Sequence, residues 1–106
     1  MASFAYRFVS DLGLYALHVR LNQLAPPIWK EGDSAWYGDY LGSKPFPGVR
    51  WRIHDFGQTI DQAHIFNADV RLDSECRTSR TEIDTAFLNL MARVPARDVH
   101  EIENYD

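Results

Sequence analysis

The chain has almost no cysteine and no long apolar run, and both absences restrict its class. Cys76 is the single cysteine among 106 residues, so an internal disulfide is impossible and an oxidising compartment is not indicated. No apolar stretch approaches the roughly 18 residues of a membrane-spanning helix. Arg7 and Asp11 interrupt the first apolar residues, so no signal-peptide pattern opens the sequence. We therefore expect a cytoplasmic protein that has no membrane contact.

A basic excess is also missing. Eleven Lys and Arg residues face fifteen Asp and Glu residues, which gives a net charge of −4. Nucleic-acid-binding proteins usually carry a basic excess, so a nucleic-acid partner is not expected. The acidity is uneven, because residues 1–53 carry six basic and four acidic groups (+2), whereas residues 54–106 carry five and eleven (−6). This division predicts a polarised surface, provided that folding does not interleave the two halves.

The chain has enough apolar and aromatic residues to form one hydrophobic core. Apolar residues make up 45% of the chain, and they include three Trp, five Tyr and six Phe. A core of this size needs no metal or disulfide to stabilise it. The length fits one ordinary domain, so residues 1–106 are predicted to form a single globular domain.

Two stretches alternate apolar and polar residues, which predicts strands over Val49–Phe56 and Ile65–Asp73. In the first strand one face carries Val49, Trp51 and Ile53, and the other carries Arg50, Arg52 and His54. In the second, the inward residues are Phe66, Ala68, Val70 and Leu72, and the outward residues are Asn67, Asp69, Arg71 and Asp73. Such alternation is typical of an antiparallel sheet with one face on the core.

A helix is predicted over residues 80–94. Ser79-Arg-Thr-Glu82 has the spacing of a capping box, which marks the start of a helix. Pro95 predicts its end near Val94. One helical face carries Ile83, Ala86, Phe87, Leu90, Met91 and Val94. The weakly alternating residues 98–105 predict a final edge strand.

The first third of the chain is ambiguous. Phe4–Val9 alternates as a strand, and turn residues follow it. Read as a strand, Tyr15–Asn22 places four apolar residues on one face; read as a helix, it leaves Tyr15 and Val19 off the apolar stripe. The strand interpretation accommodates more apolar residues, so a hairpin over residues 4–22 is predicted, with a helix over 12–24 as the alternative. Further on, we predict a short strand over Trp36–Leu41 and a loop over Ser43–Gly48.

The predicted fold class is therefore α+β. An antiparallel sheet of five to six strands carries the C-terminal helix on one face. If residues 12–24 are helical, the order approximates a ferredoxin-like fold with an extra strand.

No pattern of reactive residues indicates a catalytic or metal site. His54-Asp55 and Asp61-x-x-His64 flank one turn, but they lack the spacing of known metal motifs. Cys76 lies near Arg77 and Arg80, which favours a thiolate, yet no histidine base is near it in sequence. We expect no metal and no cofactor.

The outward face of the two clear strands has two interpretations. Arg and Asp can lie opposite each other as ordinary exposed pairs, which add little stability. Alternatively, the face is a charged platform edged by an aromatic loop, and it recognises another protein. The candidate partner-binding residues are Arg50, Arg52, His54, Asp69, Arg71, Trp36 and Tyr37.

The leading functional hypothesis is a small acidic protein-binding module without enzymatic activity. In size and charge it is similar to immunity and adaptor proteins. The first alternative is a small enzyme or ligand-binding domain that uses His54, His64 and nearby carboxylates. The second is a structural subunit of a larger assembly, and the predicted edge strands would also allow copies of the chain to associate as a homo-oligomer.

Overall fold

The computed structural model describes residues 3–24, 28–34 and 38–103, and within them the chain is an α+β fold. The described elements, in chain order, are β1 (Ser3–Ser10), α1 (Leu14–Gln23), β2 (Lys30–Ser34), β3 (Gly38–Phe46), β4 (Val49–Gln58), β5 (His64–Leu72), α2 (Arg80–Met91) and β6 (Ala96–Ile102). The six described strands form one sheet in the order β2-β3-β4-β5-β1-β6, and every neighbouring pair is antiparallel.

The strand order follows from the two helical connections. Successive hairpins place β2, β3, β4 and β5 side by side, whereas the helices carry the chain across the sheet so that β1 lies between β5 and β6. The order β6-β1-β5-β4, with one helix after the first strand and one before the last, approximates the ferredoxin-like arrangement. The β2–β3 hairpin extends it, so the sheet has two extra strands where the sequence predicted one.

The core lies on one face of this sheet. The inward residues of β1, β4 and β5 form a single buried cluster with Leu17 and Leu21 of α1 and with Ile83 and Phe87 of α2. The ring of Phe87 stacks on Tyr6, with centroids 4.3 Å apart, and meets the indole of Trp51 edge-on at 5.5 Å. The inward faces predicted for the two clear strands are confirmed.

The predicted hairpin over residues 4–22 was wrong, and its helical alternative is confirmed. Leu17 and Leu21 are fully buried, whereas Tyr15 is 76% exposed and Val19 is 44% exposed. The strand interpretation had assumed that all four apolar residues needed burial. A helix buries only one stripe of its surface, and the exposed pair lies off that stripe.

Two boundaries also differ from the predictions. β3 runs through Ser43–Phe46, which was predicted as a loop, because the chain continues to pair with β4 across a bulge between Ser43 and Phe46. α2 ends at Met91 rather than near Val94, and residues 92–95 turn into β6. β6 pairs only with β1 among the described strands, so it is an edge strand, as predicted.

None of the helices in the described ranges has the length and apolar character required to cross a membrane.

Candidate functional site

The candidate site occupies the outer face, which we define as the side of the sheet opposite the buried cluster. Its central residues are the alternate positions of β4 and β5. Arg52 lies directly opposite Asp69, the cross-strand arrangement that the sequence predicted. Arg50, however, lies directly opposite Arg71. A like-charge pair in this position lowers the stability of a sheet.

Tyr40 on β3 extends the outer face toward the sheet edge. The Arg52 guanidinium lies over its ring, 5.2 Å from the centroid. On the other side the ring covers Gly32 of β2, where an added Cβ would lie only 2.4 Å from the Tyr40 Cζ atom. Glycine at position 32 therefore allows an aromatic ring to lie against the sheet beneath an arginine.

His54 shares the orientation of Arg50 and Arg52 but is only 8% exposed. The sequence predicted it as an accessible contact, and the structure instead places it between Tyr40 of β3 and Asn67 of β5. Burial lowers the pKa of His54 below its usual value, and the nearby Asp69 carboxylate opposes this shift only in part. The burial favours the neutral imidazole, which leaves the arginines as the cations of β4.

The guanidinium of Arg7 on β1 is held by neighbours on the same face. Its Nε donates to the Asn67 Oδ1 atom at 2.9 Å, and its central carbon lies 4.2 Å from the centroid of the Phe56 ring. These contacts hold Arg7 against Asn67, which lies between Arg7 and His54 in the sheet.

A concavity of about 780 Å³ opens at the end of the outer face formed by the β3–β4 turn and the end of β5. We call it the outer concavity. Its cationic lining residues are Lys44, Arg50, Arg52 and Arg71. Asp73 and Glu75 are its acidic lining residues, and Asp73 accepts a 2.7 Å hydrogen bond from the Glu75 backbone N–H. The cations therefore outnumber the acids here, although the chain as a whole carries a charge of −4.

The structure thus brings together Arg50, Arg52, His54, Asp69 and Arg71 on one face. Trp36 and Tyr37 lie outside the described residues. Sequence reasoning missed Lys44, Tyr40 and Gly32, because the segment around them showed no clear alternation. The available signal was two glycines: Gly32, which pairs with Tyr40 across the β2–β3 ladder, and Gly42, two residues after Tyr40.

The two histidines considered for an enzymatic site do not converge. His64 follows the inward alternation of β5 and stacks on Phe66, with ring centroids 5.9 Å apart. Its Nδ1 lies 3.0 Å from the Asp55 Oδ2 atom. His54 lies on the outer face, so the sheet separates the two imidazoles. Cys76 is half-buried at the edge of the core, and its Sγ donates to the Thr78 carbonyl at 3.4 Å.

Among residues 3–24, 28–34 and 38–103, no group of three or more His, Cys, Asp or Glu side chains is arranged to hold a metal ion. No family model matches the chain, and neither a curated protein nor a solved structure is measurably similar to it.

Proposed function

We propose that the protein is a non-enzymatic binding module whose outer face docks an acidic surface or segment of a partner protein. The observation that carries the proposal is the concentration of cations at one end of that face. Lys44, Arg50, Arg52 and Arg71 line the outer concavity. An acidic partner would experience an attractive field there, and a basic partner would not.

The cross-strand pair of Arg50 and Arg71 supports this proposal. Like charges placed directly opposite each other cost a sheet stability, and a polar or acidic residue at either position would avoid that cost. Local rules of stability are most often broken where a residue serves function. A carboxylate of the partner that binds at these two positions would add a favourable charge interaction to both strands.

The stacking of Arg52 on Tyr40 provides a second element of recognition. A guanidinium that lies over an aromatic ring is restricted in its motion, so less conformational entropy is lost when it binds a carboxylate. Tyr and Arg are also the residue types enriched where binding energy is concentrated in protein interfaces.

Fluorescence anisotropy with a labelled oligoglutamate peptide tests the proposal. The peptide stands for an acidic protein segment, and an oligolysine peptide and an oligouridylate serve as the opposed probes. We expect the protein to bind oligoglutamate, and the Arg50→Ala/Arg71→Ala double variant to bind it about tenfold more weakly. Raising the ionic strength from about 50 to 300 mM should weaken wild-type binding as well.

Arg20→Ala is the matched control. Arg20 lies on α1, on the helical side of the sheet, and its guanidinium donates to the Arg93 carbonyl. Its removal should leave oligoglutamate binding unchanged. Equal losses in Arg20→Ala and in the double variant would contradict a specific site. Tighter binding of oligouridylate through the same arginines would assign the face to nucleic acid instead.

A further inference from the structure

A notch in the sheet edge adjoins the outer face. β2 begins at Lys30, which pairs with Gly42, whereas β3 continues to Phe46 with β4 on its other side. The chain just before β2 bends toward the helical side of the sheet, where the Ser43 Oγ donates to the Ile28 carbonyl at 2.8 Å. α2 forms the opposite wall. We call this cavity the edge notch.

The notch is large and partly apolar. Its volume is about 970 Å³, at the upper end of the range of roughly 300–1,000 Å³ that ligand sites occupy. The apolar lining residues are Ile28, Pro45, Phe46, Trp51, Ala86 and Leu90. Trp51 is buried and stacks on Trp29, with centroids 6.0 Å apart, so this part of the lining is rigid. Ile28 is 69% exposed, so it contributes accessible apolar surface to the notch.

Cations surround this apolar surface. The cationic lining residues are Lys30, Lys44, Arg50, Arg52 and Arg93. Among the residues that the structure describes, Glu31 is the one acidic residue that lines the notch, and it lies 3.3 Å from the Nδ1 atom of His18. Lys44, Arg50 and Arg52 also line the outer concavity, so the notch and the outer face meet at these three residues.

We infer that the edge notch binds an apolar anchor side chain, aromatic or branched aliphatic, of an acidic protein segment whose carboxylates bind the surrounding cations. The inference rests on the proposed function and identifies the chemistry of the partner. Charge complementarity selects this occupant, because the described lining residues include five cations and one acid, which favours carboxylates beside the anchor. An apolar residue in a pocket ringed by polar contacts is also the usual source of concentrated binding energy.

Pairing of the partner as an additional strand is less suited to this edge. Pro45 lines the notch and has no backbone N–H to donate to an added strand. Contacts through side chains of the partner are therefore better suited to this lining.

Two labelled peptides test the inference by anisotropy: an oligoglutamate with one central Phe, and the same peptide with a central Ser. We expect the Phe peptide to bind about tenfold more tightly, because the Phe ring is transferred from water into the apolar notch. A Phe peptide with neutral Gly and Ser flanks should bind more weakly than the acidic Phe peptide, and more so at low ionic strength.

Ile28→Glu and Ile60→Glu form a matched pair of variants. Both isoleucines are exposed, but Ile60 lies in the turn between β4 and β5, away from the notch. Ile28→Glu places a carboxylate at the apolar surface of the notch. The affinity for the Phe peptide relative to that for the Ser peptide should therefore fall from about tenfold to nearly one. Ile60→Glu adds the same charge and should preserve the tenfold ratio. Thermal melts of both variants should match the wild type, which separates binding from folding.

The outcomes distinguish the inference from the proposed function. Equal affinity for the Phe and Ser peptides would overturn the inference that the notch binds an apolar anchor, and it would leave the outer face as the binding surface. Failure of both peptides to bind would overturn the proposed function itself. If N-acetylphenylalanine bound as tightly as the acidic Phe peptide, the notch would be a small-carboxylate site and the protein partner would be excluded.

Discussion

At the scale of single residues, the outer face depends on a close approach between Gly32 and the Tyr40 ring. The Tyr40 ring occupies the space that a side chain at position 32 would need, and the Arg52 guanidinium covers the ring. The glycine has an ordinary backbone conformation, so its role is to leave space rather than to permit an unusual turn. The position of Arg52 therefore depends on the absence of a methyl group two strands away.

Gly32→Ala should displace the Tyr40 ring and lower the free energy of unfolding by about 1 kcal/mol, the lower end of the range for overpacking, because the displaced atoms are the far end of a half-buried side chain that can turn. Gly42→Ala is the control, because its Cβ would lie at an ordinary 3.5 Å from Tyr40. Urea unfolding measures both. In a Tyr40→Ala background the cost of Gly32→Ala should largely vanish, and a cost that persisted there would contradict the contact as its cause.

His54 makes the stability depend on pH. Burial lowers its pKa, so in the window between that lowered pKa and the unfolded value of 6.5 the unfolded chain binds more protons than the folded one. The free energy of unfolding therefore rises with pH across this window, and the full contribution of the neutral imidazole is present above it. Below the lowered pKa both the folded and the unfolded chain are protonated at His54, so stability falls no further through this residue.

Thermal melts between about pH 7.5 and 5 test this direction. The melting temperature of the wild type should fall more steeply on acidification than that of His54→Gln, which retains a polar side chain but cannot titrate. Superimposable profiles would show that the pH dependence does not arise from His54.

At the scale of elements, the two helices show why one could be predicted and the other was ambiguous. α2 carries its own start signal, since the Ser79 side chain accepts a hydrogen bond from the Glu82 backbone N–H. α1 begins after Gly13, which has no side chain to cap it. The sequence shows the helical stripe of Leu17 and Leu21. Tyr15 and Val19, however, complete an alternation of apolar and polar residues that is typical of a strand. Exposure of these two residues is decided by the tertiary fold and is not encoded in a local pattern.

The β2–β3 hairpin shows a different limit. β2 is Lys-Glu-Gly-Asp-Ser, a polar edge strand without an inward apolar residue. Its sequence therefore has no alternation of apolar and polar residues that would indicate a strand. β3 contains a proline and a bulge, which resemble a loop in sequence. β3 is held by pairing with β4, and β2 by pairing with β3; these contacts between strands are not contained in a local pattern. The edge notch, which these strands create, was therefore beyond prediction.

Ser79→Ala should lower the free energy of unfolding by about 1 kcal/mol, because one backbone N–H of the first turn of α2 loses its acceptor. Ser74→Ala, an exposed serine in the same connection, should change it by less than about 0.5 kcal/mol. Chemical denaturation with far-UV circular dichroism compares them. Equal effects of the two substitutions would mean that the Ser79 cap contributes nothing to stability.

At the scale of the whole molecule, folding partly interleaves the two halves of the sequence, because β1 of the first half lies between β5 and β6 of the second. The cations of the notch and the outer concavity come mainly from residues 30–52, within the half that carries +2. Alternation alone placed Arg50, Arg52, Asp69 and Arg71 on one face, because the period of a strand is independent of its partners. It did not reveal that Arg50 would meet Arg71, since the register of β4 against β5 depends on the turn and on the bulge at Asp55–Gly57.

That register predicts opposite effects for two charge reversals. Arg50→Glu places a carboxylate opposite Arg71, so the free energy of unfolding should rise by about 0.2–1 kcal/mol. Arg52→Glu places a carboxylate opposite Asp69 and removes the cation over Tyr40, so stability should fall by at least as much. Both changes should shrink at high salt, where exposed charges are screened.

In Arg50→Glu and Arg52→Glu, the change in affinity for oligoglutamate should not follow the change in the free energy of unfolding. Each reversal removes a cation that lines the outer concavity, so both variants should bind oligoglutamate at least about tenfold more weakly than the wild type. Urea titrations at low and high salt, run beside anisotropy on the same samples, separate the two effects. If Arg50→Glu were both more stable and an undiminished binder, the like-charge pair would have no role in recognition, and the cations that bind the partner would have to be sought among Lys44, Arg52 and Arg93 of the notch.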